Sequence, residues 1–182
     1  MIRKVSVSMP DAAPSRVLIT PLPSAVRLGV RCAHSHLPEM ESGLSATFPQ
    51  AIRQVAGTPQ RFVSCLGPDE WVFSAPATEF PDVRRKIRQL TESTPCSVTD
   101  ISSRELSYRL DGPAAAALLN SGCPANLRDM PAPSAARTVF EGVQVSLVKW
   151  SEDAFRLDVW RSFAPHVLAG LHLAQRDVHS DQ

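Results

Sequence analysis

The sequence predicts an α+β protein built from two ferredoxin-like β-α-β-β-α halves that pack together. Short segments with the two-residue period of half-buried strands alternate with segments whose apolar residues recur at helical spacing. In the first half their order is strand, helix, strand, strand, helix, strand, the split β-α-β order. A turn, an aromatic-bearing strand and a helix recur later, so we interpret the chain as a faint internal duplication with helices on two sheets.

The first predicted elements precede residue 60. Val17–Ile19 is a short apolar patch, and Val26–Cys32 alternates apolar and polar side chains as a strand does. We predict a loop over residues 33–46. A helix is then predicted to begin with Thr47 as its cap and to stop at Gly57. The apolar face of this helix would consist of Phe48, Ile52 and Val55.

A hairpin and a second helix follow in the first half. The predicted strands Arg61–Leu66 and Trp71–Ala75 are joined by Gly67-Pro68-Asp69-Glu70, whose composition is typical of a turn. The helix begins at Pro81 and ends before Pro95. Its inward row is predicted to be Phe80, Val83, Ile87 and Leu90, and its outward basic row is Arg84, Arg85, Lys86 and Arg88.

The stretch that joins the halves contains a strand, a turn and a helix. Val98–Leu110 is predicted to be the final strand region of the first half, and the second half restarts within it at Arg104. The turn Asp111-Gly112-Pro113 starts a helix over Ala114–Leu119, because aspartate accepts free helical N–H groups and proline fits the first helical position. Gly122 ends this helix.

A proline-broken loop then leads to three strands and a last helix. The predicted strands cover Arg137–Phe140, Val143–Trp150 and Ala154–Trp160. Glu141-Gly142 is predicted to be a two-residue hairpin turn, and Ser162 is predicted to cap the helix. The inward row of that helix is predicted to be Phe163, Val167, Leu171 and Ala174.

One domain is expected to account for most of the chain. We expect a flexible N-terminal segment over residues 1–16, a single α+β domain over residues 17–176, and a tail over residues 177–182. The two pseudo-repeated halves are expected at about 17–101 and 102–176. A chain of 182 residues buries enough surface to fold without a disulfide or a metal.

Charge and composition argue against several classes of function. The chain has 19 Lys and Arg against 18 Asp and Glu, a net charge of +1, so we predict no nucleic-acid partner. No stretch has the ~18 consecutive apolar residues of a membrane span, so we predict no membrane association. The four cysteines are scattered without a CxxC pair, as is typical of a reducing compartment, and we expect a cytoplasmic protein.

The sequence predicts no catalytic, cofactor-binding or metal-ligating residue in this chain. Cys123 lies between a glycine and a proline, but no G-x-S-x-G, G-x-G-x-x-G or P-loop motif occurs, so we predict a buried structural thiol. Cys32–His36 is the only dense group of metal-type ligands. Alternating side chains of an extended segment point to opposite faces and do not converge on one ion, so we predict a solvated loop.

The tryptophans and the basic helix row are candidate contact surfaces. Trp71 is predicted to be a core residue. Trp160 points away from the row of Phe155 on its strand, so it is exposed unless a partner or a loop covers it. The basic row at residues 84–88 is interpreted as a solvated helix face, and the alternative is that it steers an acidic partner.

Several blocks resemble a known family. Asp100-Ile101-Ser102, a strand, and then Asp111-Gly112-Pro113-Ala114 resemble the signature of the folate-binding domains of the glycine-cleavage T-protein superfamily. Ser121–Leu127, after the helix, is similar more narrowly to the corresponding segment of the gamma subunits of heterotetrameric sarcosine oxidases. Two further blocks agree with that family: Leu66–Trp71 upstream, and Asp153–Leu157 with Arg161–Ala164 downstream.

The resemblance implies the folate-binding fold and a structural, non-catalytic role. It implies a complex that oxidatively demethylates sarcosine to glycine, with alpha, beta and delta subunits as partners. It also implies that FAD, FMN, NAD and tetrahydrofolate are held by the larger subunits and zinc by the smallest, with no cofactor in this chain. A redox cysteine motif of related folate-binding proteins is not matched, because Pro124 follows Cys123 where that motif has a tyrosine.

Two alternatives remain open at this stage. The chain is alternatively a free-standing folate-binding or aminomethyltransferase-like protein, which would itself bind tetrahydrofolate. Or it is the equivalent subunit of an oxidase or dehydrogenase for another N-methyl amino acid. A subunit that lacks the active site carries no residues that distinguish these substrates.

Overall fold

The computed structural model describes residues 17–180, and of residues 178–180 the backbone alone. The predicted flexible segment, residues 1–16, lies outside the described residues, as do residues 181–182 of the predicted tail. Within the described range, the helices are α1 (Leu37–Leu44), α2 (Phe80–Ser93), α3 (Ala115–Asn120) and α4 (Ala164–Ser180). The strands are β1 (Leu18–Pro21), β2 (Ala25–Cys32), β3 (Val55–Gly57), β4 (Phe62–Gly67), β5 (Glu70–Pro76), β6 (Cys96–Asp100), β7 (Glu105–Asp111), β8 (Ser134–Phe140), β9 (Val143–Ser151) and β10 (Ala154–Trp160).

The strands form two antiparallel five-stranded sheets with the same topology. The N-terminal sheet has the order β3-β4-β5-β2-β6, and the C-terminal sheet has the order β8-β9-β10-β7-β1. In each sheet the strand before the first helix of its half, β2 or β7, lies between the second strand of a hairpin and a closing strand. This is a ferredoxin-like arrangement with one added edge strand. The predicted α+β class with two such halves is confirmed.

The closing strand of the C-terminal sheet comes from the beginning of the chain. β1 pairs antiparallel with β7, with Leu18 opposite Asp111 and Pro21 opposite Tyr108. The apolar patch Val17–Ile19 noted in the sequence therefore leads into this strand, and its Val17 is buried in the C-terminal core. The first described residues thus pair with the sheet that the second half of the chain builds.

The helices and sheets stack in four layers, helix, sheet, sheet, helix. α1 and α2 cover the outer face of the N-terminal sheet, and α3 and α4 cover the outer face of the C-terminal sheet. Each outer face has its own apolar core, because alternate residues of every central strand point toward the helices. The remaining residues of those strands point inward, where the two sheets face each other across a small apolar cluster and several charged side chains.

Much of the local structure follows the prediction. The hairpin of β4 and β5, the helix α2, the helix α3 and the turn at Glu141-Gly142 form where the sequence places them. Trp71 is fully buried, as predicted. In the last helix the predicted inward side chains are buried except for Phe163, which precedes α4 and is 46% exposed. Its N–H donates to the carbonyl of Trp160 at 2.9 Å in the turn that leads into the helix.

Two local predictions in the first half are wrong. The predicted loop over residues 33–46 contains α1, and the helix predicted to begin at Thr47 does not form. The spacing of three buried residues fits a helix, and Pro38 lies in the first turn, where a proline leaves no partner unmatched. Those three buried residues are Leu37, Met40 and Leu44.

Residues 47–54 form turns because both groups that a helix would join are used elsewhere. In a helix the N–H of Arg53 would donate to the carbonyl of Pro49. Instead the indole N–H of Trp71 donates to that carbonyl at 2.7 Å, and the N–H of Arg53 donates to the carbonyl of Cys65 at 2.8 Å. Phe48 packs edge-on against Trp71 with ring centroids 6.0 Å apart, so the segment closes over the N-terminal core.

A third correction concerns Val98–Leu110, predicted to be one strand region. β6 ends at Asp100 in the N-terminal sheet, and β7 begins at Glu105 in the C-terminal sheet. The Asp100 carboxylate accepts the N–H of Ser102 at 2.9 Å, so an Asx turn breaks the strand. The chain crosses here from one sheet to the other.

Gly57 and Gly142 both have a positive φ, but an added side chain would clash with neighbouring backbone only at Gly57. At Gly57 (φ +114°) an added Cβ would lie 2.3 Å from the carbonyl oxygen of Arg61, whereas at Gly142 (φ +76°) it would meet nothing within 4 Å. We expect Gly57→Ala to lower the free energy of unfolding by more than about 2 kcal/mol and Gly142→Ala by only about 1 kcal/mol. Urea unfolding of both variants measures the difference, and equal losses would contradict the close approach at Gly57.

Candidate functional site

The Cys32–His36 segment does not assemble a metal centre. Cys32 is buried at the end of β2, and burial raises the pKa of its thiol, which disfavours the thiolate that binds metals. The Nε2 atom of His34 lies 2.7 Å from the Pro68 carbonyl, and its ring packs edge-on against Trp71 at 5.4 Å. Among the described side chains, residues 17–177, no group of three or more His, Cys, Asp or Glu is arranged to hold a metal ion.

Cys123 is buried in the C-terminal core after α3. Its side chain packs among the apolar residues under the helices, and its Sγ lies 3.5 Å from the hydroxyl of Thr138. Asn120 donates to the Cys123 carbonyl at 3.3 Å and so holds the chain after the helix. The position fits a structural thiol that fills a tight turn rather than a nucleophile open to a substrate.

Four buried polar and charged side chains lie together between the two sheets, where the sequence predicted no site. We call this group of four side chains the inter-sheet polar cluster: Arg27, Ser107, Arg156 and Asp158. All four are at most 7% exposed. β2 contributes Arg27, β7 contributes Ser107, and β10 contributes the other two, because alternate residues of these strands point to the inner face.

The Asp158 carboxylate is the centre of the cluster. It accepts Nη2 of Arg27 at 3.0 Å and Nε of Arg156 at 3.0 and 3.1 Å. The hydroxyl of Ser107 donates to the same carboxylate and accepts N–H groups from both guanidiniums, with Arg156 Nη2 at 3.1 Å. Arg27 also donates through Nη1 to the backbone carbonyl of Glu105 at 3.0 Å. The cluster therefore joins the N-terminal sheet to the C-terminal sheet.

Burial and charge shift the titration of groups in and beside the cluster. Desolvation lowers the pKa of Arg27 despite the opposing effect of Asp158. Desolvation and then repulsion by Asp158 raise the pKa of the neighbouring Glu105, whose carboxylate lies 4.0 Å from Nε of Arg27. That Nε has no hydrogen-bond partner in the described chain. The charged groups of the cluster are paired with one another, apart from Nη1 of Arg156, which has no hydrogen-bond partner among them.

A second ionic contact joins the sheets near the surface. Glu70 of β5 accepts Arg31 of β2 at 2.9 Å and Arg137 of β8 at 2.6 Å. The hydrogen bond from Arg137 is the main cause that lowers the pKa of Glu70. Arg137 lies on the C-terminal sheet, so Glu70 repeats at the edge what Asp158 does in the interior.

Two aromatic side chains are exposed close together where β10 leads into α4. Trp160 is 39% exposed and Phe163 is 46% exposed, and the guanidinium of Arg104 stacks on the Trp160 ring at 4.5 Å. We call these three side chains the aromatic surface. The exposure of Trp160 agrees with the strand pattern of the sequence. Tryptophan and arginine are the residue types that carry most binding energy in protein interfaces.

The basic row of α2 is a solvated helix face. Arg85 and Lys86 both pair with Asp82 one turn earlier, and Arg84 and Arg88 are exposed. Pairs of this kind between exposed side chains contribute little free energy. The row therefore supports the solvated interpretation made from the sequence.

Two stacked ferredoxin-like halves, joined by a closed ionic cluster, place the molecule in the fold class of aminomethyltransferase T-proteins. The structure of the glycine cleavage system aminomethyltransferase T from Bartonella henselae superimposes with a TM-score of 0.63 and 15% identity. That match covers 90% of this chain and 50% of that chain, and it shows the fold alone.

The family is narrower than the fold class. The sequence profile of the sarcosine oxidase, gamma subunit family matches residues 35–177, and the chain belongs to this family. A chain of the heterotetrameric sarcosine oxidase from Corynebacterium sp. U-96, in complex with pyrrole 2-carboxylate, superimposes with a TM-score of 0.84 and 26% identity. The match covers 92% of this chain and 88% of that chain. The resemblance seen in the sequence is confirmed.

Curated relatives show the same family. The sarcosine oxidase gamma subunit of Corynebacterium sp. strain U-96 is 31% identical over 128 residues, which is 69% of this chain and 60% of that relative. The gamma subunit of Corynebacterium sp. strain P-1 is 27% identical over 162 residues, or 86% of this chain and 79% of that relative. Within residues 17–180, no helix is both long enough and apolar enough to cross a lipid bilayer.

The ionic cluster generates a stability prediction. Asp158→Asn removes the acidic partner of Arg156 and the nearer of the two acidic partners of Arg27, and we expect it to lower the free energy of unfolding by about 3–5 kcal/mol. Asp111→Asn is the matched control, because Asp111 pairs at 2.7 Å with Arg109, which is largely exposed, and such a pair contributes at most about 1 kcal/mol. Urea unfolding at neutral pH compares the two variants. Similar losses would show that Asp158 does not hold the sheets together.

Proposed function

We propose that this chain is the gamma subunit of a heterotetrameric sarcosine oxidase, which oxidatively demethylates sarcosine to glycine. The observation that supports this most directly is the superposition on a chain of the Corynebacterium complex over most of both chains, together with the family match. Its partners in this proposal are alpha, beta and delta subunits, and its compartment is the cytoplasm. Residues 17–176 act as one domain with pseudo-repeated halves at about 17–101 and 102–176, and β1 of the first half pairs with the sheet of the second.

In this proposal the role of the chain is structural. FAD, FMN, NAD and tetrahydrofolate belong to the larger subunits and zinc to the smallest. Two features support a non-catalytic role. Cys123 is packed in the core, and the charges of the inter-sheet polar cluster are paired with one another. The substrate of the complex is alternatively another N-methyl amino acid, since this chain holds none of the reacting groups.

The aromatic surface is the part of the chain that we propose contacts another subunit. Trp160 and Phe163 lie next to each other in the turn before α4, and Arg104 and Arg161 add positive charge beside them. Arg161 donates through Nε to the carbonyl of Ser103 at 3.1 Å, which fixes this turn against the β6–β7 connection. A partner surface that fits would present an apolar pocket bordered by carboxylates.

A tagged purification tests the subunit assignment. The tagged chain is expressed in its native host and purified without denaturant. The accompanying chains are identified by mass, and a visible absorption spectrum of the preparation is recorded. We expect three further chains and the yellow colour of bound flavin. A colourless preparation of this chain alone would overturn the proposal. Binding of tetrahydrofolate by such a monomer would then favour a free-standing folate-binding or aminomethyltransferase-like protein.

The same purification tests the aromatic surface. We expect the double variant Trp160→Ala/Phe163→Ala to recover at least about tenfold less of the accompanying chains, because truncating two central interface aromatics costs more than 1 kcal/mol each. Leu173→Ala is the matched control, since Leu173 is 54% exposed on α4 and lies outside the aromatic surface. If the double variant melts normally and still recovers the accompanying chains in full, the interface lies elsewhere on the chain.

A further inference from the structure

One end of the layer between the sheets contains a cavity of about 330 Å³. Its walls come from both halves: Ala25 and Pro76 belong to the N-terminal sheet, and Trp150, Ala154 and Arg156 belong to the C-terminal sheet. The β1–β2 connection and Pro59 complete the rim. The volume lies at the lower end of the range for small-molecule sites in proteins.

The cavity reaches one charged group of the inter-sheet polar cluster. Arg156 is 5% exposed, and its Nε and Nη2 are held by Asp158 and Ser107. Its remaining amino group, Nη1, has no hydrogen-bond partner in residues 17–180. This Nη1 atom is not sealed from solvent. The guanidinium is therefore fixed in orientation while one donor stays accessible from the cavity.

The charge of the cavity wall has one sign. Arg156 lies inside it and Arg109 lies at its rim. Their paired aspartates, Asp158 and Asp111, do not line the cavity, and neither does any other acidic side chain of the described residues. The rest of the wall is mostly apolar, with Ser24 and Gln60 as its uncharged polar residues, and it contains a tryptophan and several prolines, which have flat and rigid surfaces. An accessible guanidinium donor in such an environment forms a strong, charge-assisted hydrogen bond with an anion.

We propose that this cavity binds a small monocarboxylate with a flat apolar body, such as an aromatic carboxylate. In this proposal the carboxylate of the ligand accepts a hydrogen bond from Nη1 of Arg156, and its ring packs against Trp150 and the prolines of the wall. The positive charge of Arg109 attracts the ligand at the entrance. One accessible buried donor matches a single negative charge better than a phosphate. The ligand would touch both sheets and so stabilise their stacking.

The test uses the full-length chain, purified through a tag with any chains that accompany it. The probe is 4-fluorobenzoate, and its binding is followed by the line width and shift of its fluorine NMR signal. The neutral analogue 4-fluorobenzamide has the same ring and no charge. We expect saturable binding of the carboxylate and at least about tenfold weaker binding of the amide.

Substitutions in this chain assign the binding to the cavity. Ala154→Leu fills the cavity from its inner wall, and we expect it to weaken 4-fluorobenzoate at least about tenfold. Arg109→Gln at the exposed rim should weaken it about threefold without affecting folding. Ala169→Leu, at an exposed position of α4, is the matched control and should leave binding unchanged. A site on an accompanying chain would not respond to any of these substitutions.

Each outcome decides the proposal. Absence of saturable binding would overturn it and would indicate a hydrated cleft or a cavity filled by a partner's side chain. Equal affinity of the amide would overturn the carboxylate preference. Unchanged binding in both Ala154→Leu and Arg109→Gln would place the probe elsewhere. Thermal melting shows whether each variant is folded. If Ala154→Leu does not fold, Arg109→Gln still tests whether the probe binds in the cavity.

Discussion

The inter-sheet polar cluster is the constraint on which the arrangement of the two halves depends. Each sheet already buries its outer face against its own helices, so the outer cores do not determine how the sheets stack. Bringing Arg27, Arg156 and Asp158 out of water is costly, and the cost is offset only when the contacts among them are complete. A shift of one residue along β2 or β10 would turn these charges into an apolar core. The cluster therefore fixes the register between the halves more than it adds net stability.

The layer between the sheets is graded along its length. At the centre the charges are closed on each other, at one edge Glu70 joins Arg31 and Arg137, and at the opposite end the sheets leave a cavity beside Trp150. The same fold occurs in the aminomethyltransferase of Bartonella henselae. Fold and chemistry are separable in this class, and here the outer surface rather than the interior supports the proposed role.

The sequence predicts most of the fold because its strands and helices obey their own periods. α2, the hairpin turns and the exposure of Trp160 need only local spacing. The failures occur where distant groups decide: residues 47–54 lose a helix because Trp71 and Cys65 take its hydrogen bonds. The inter-sheet polar cluster was missed for a related reason, since Arg156 and Asp158 alternate with apolar residues as solvent-facing side chains do. Only the stacking of the second sheet reveals that this face is buried.

The pairing of β1 with β7 makes the two ends of the described chain neighbours. Gln175 of α4 donates through its side chain to the Val17 carbonyl at 2.6 Å, beside the strand that closes the C-terminal sheet. Neither half is consequently a self-sufficient segment of sequence. A cut in the connection between β6 and β7 would release a first piece that carries away a strand of the second, leaving β7 with an uncovered edge. One short strand, β1, thus links the two halves. The structure consists of two similar units, but neither unit is formed by one continuous segment of the sequence.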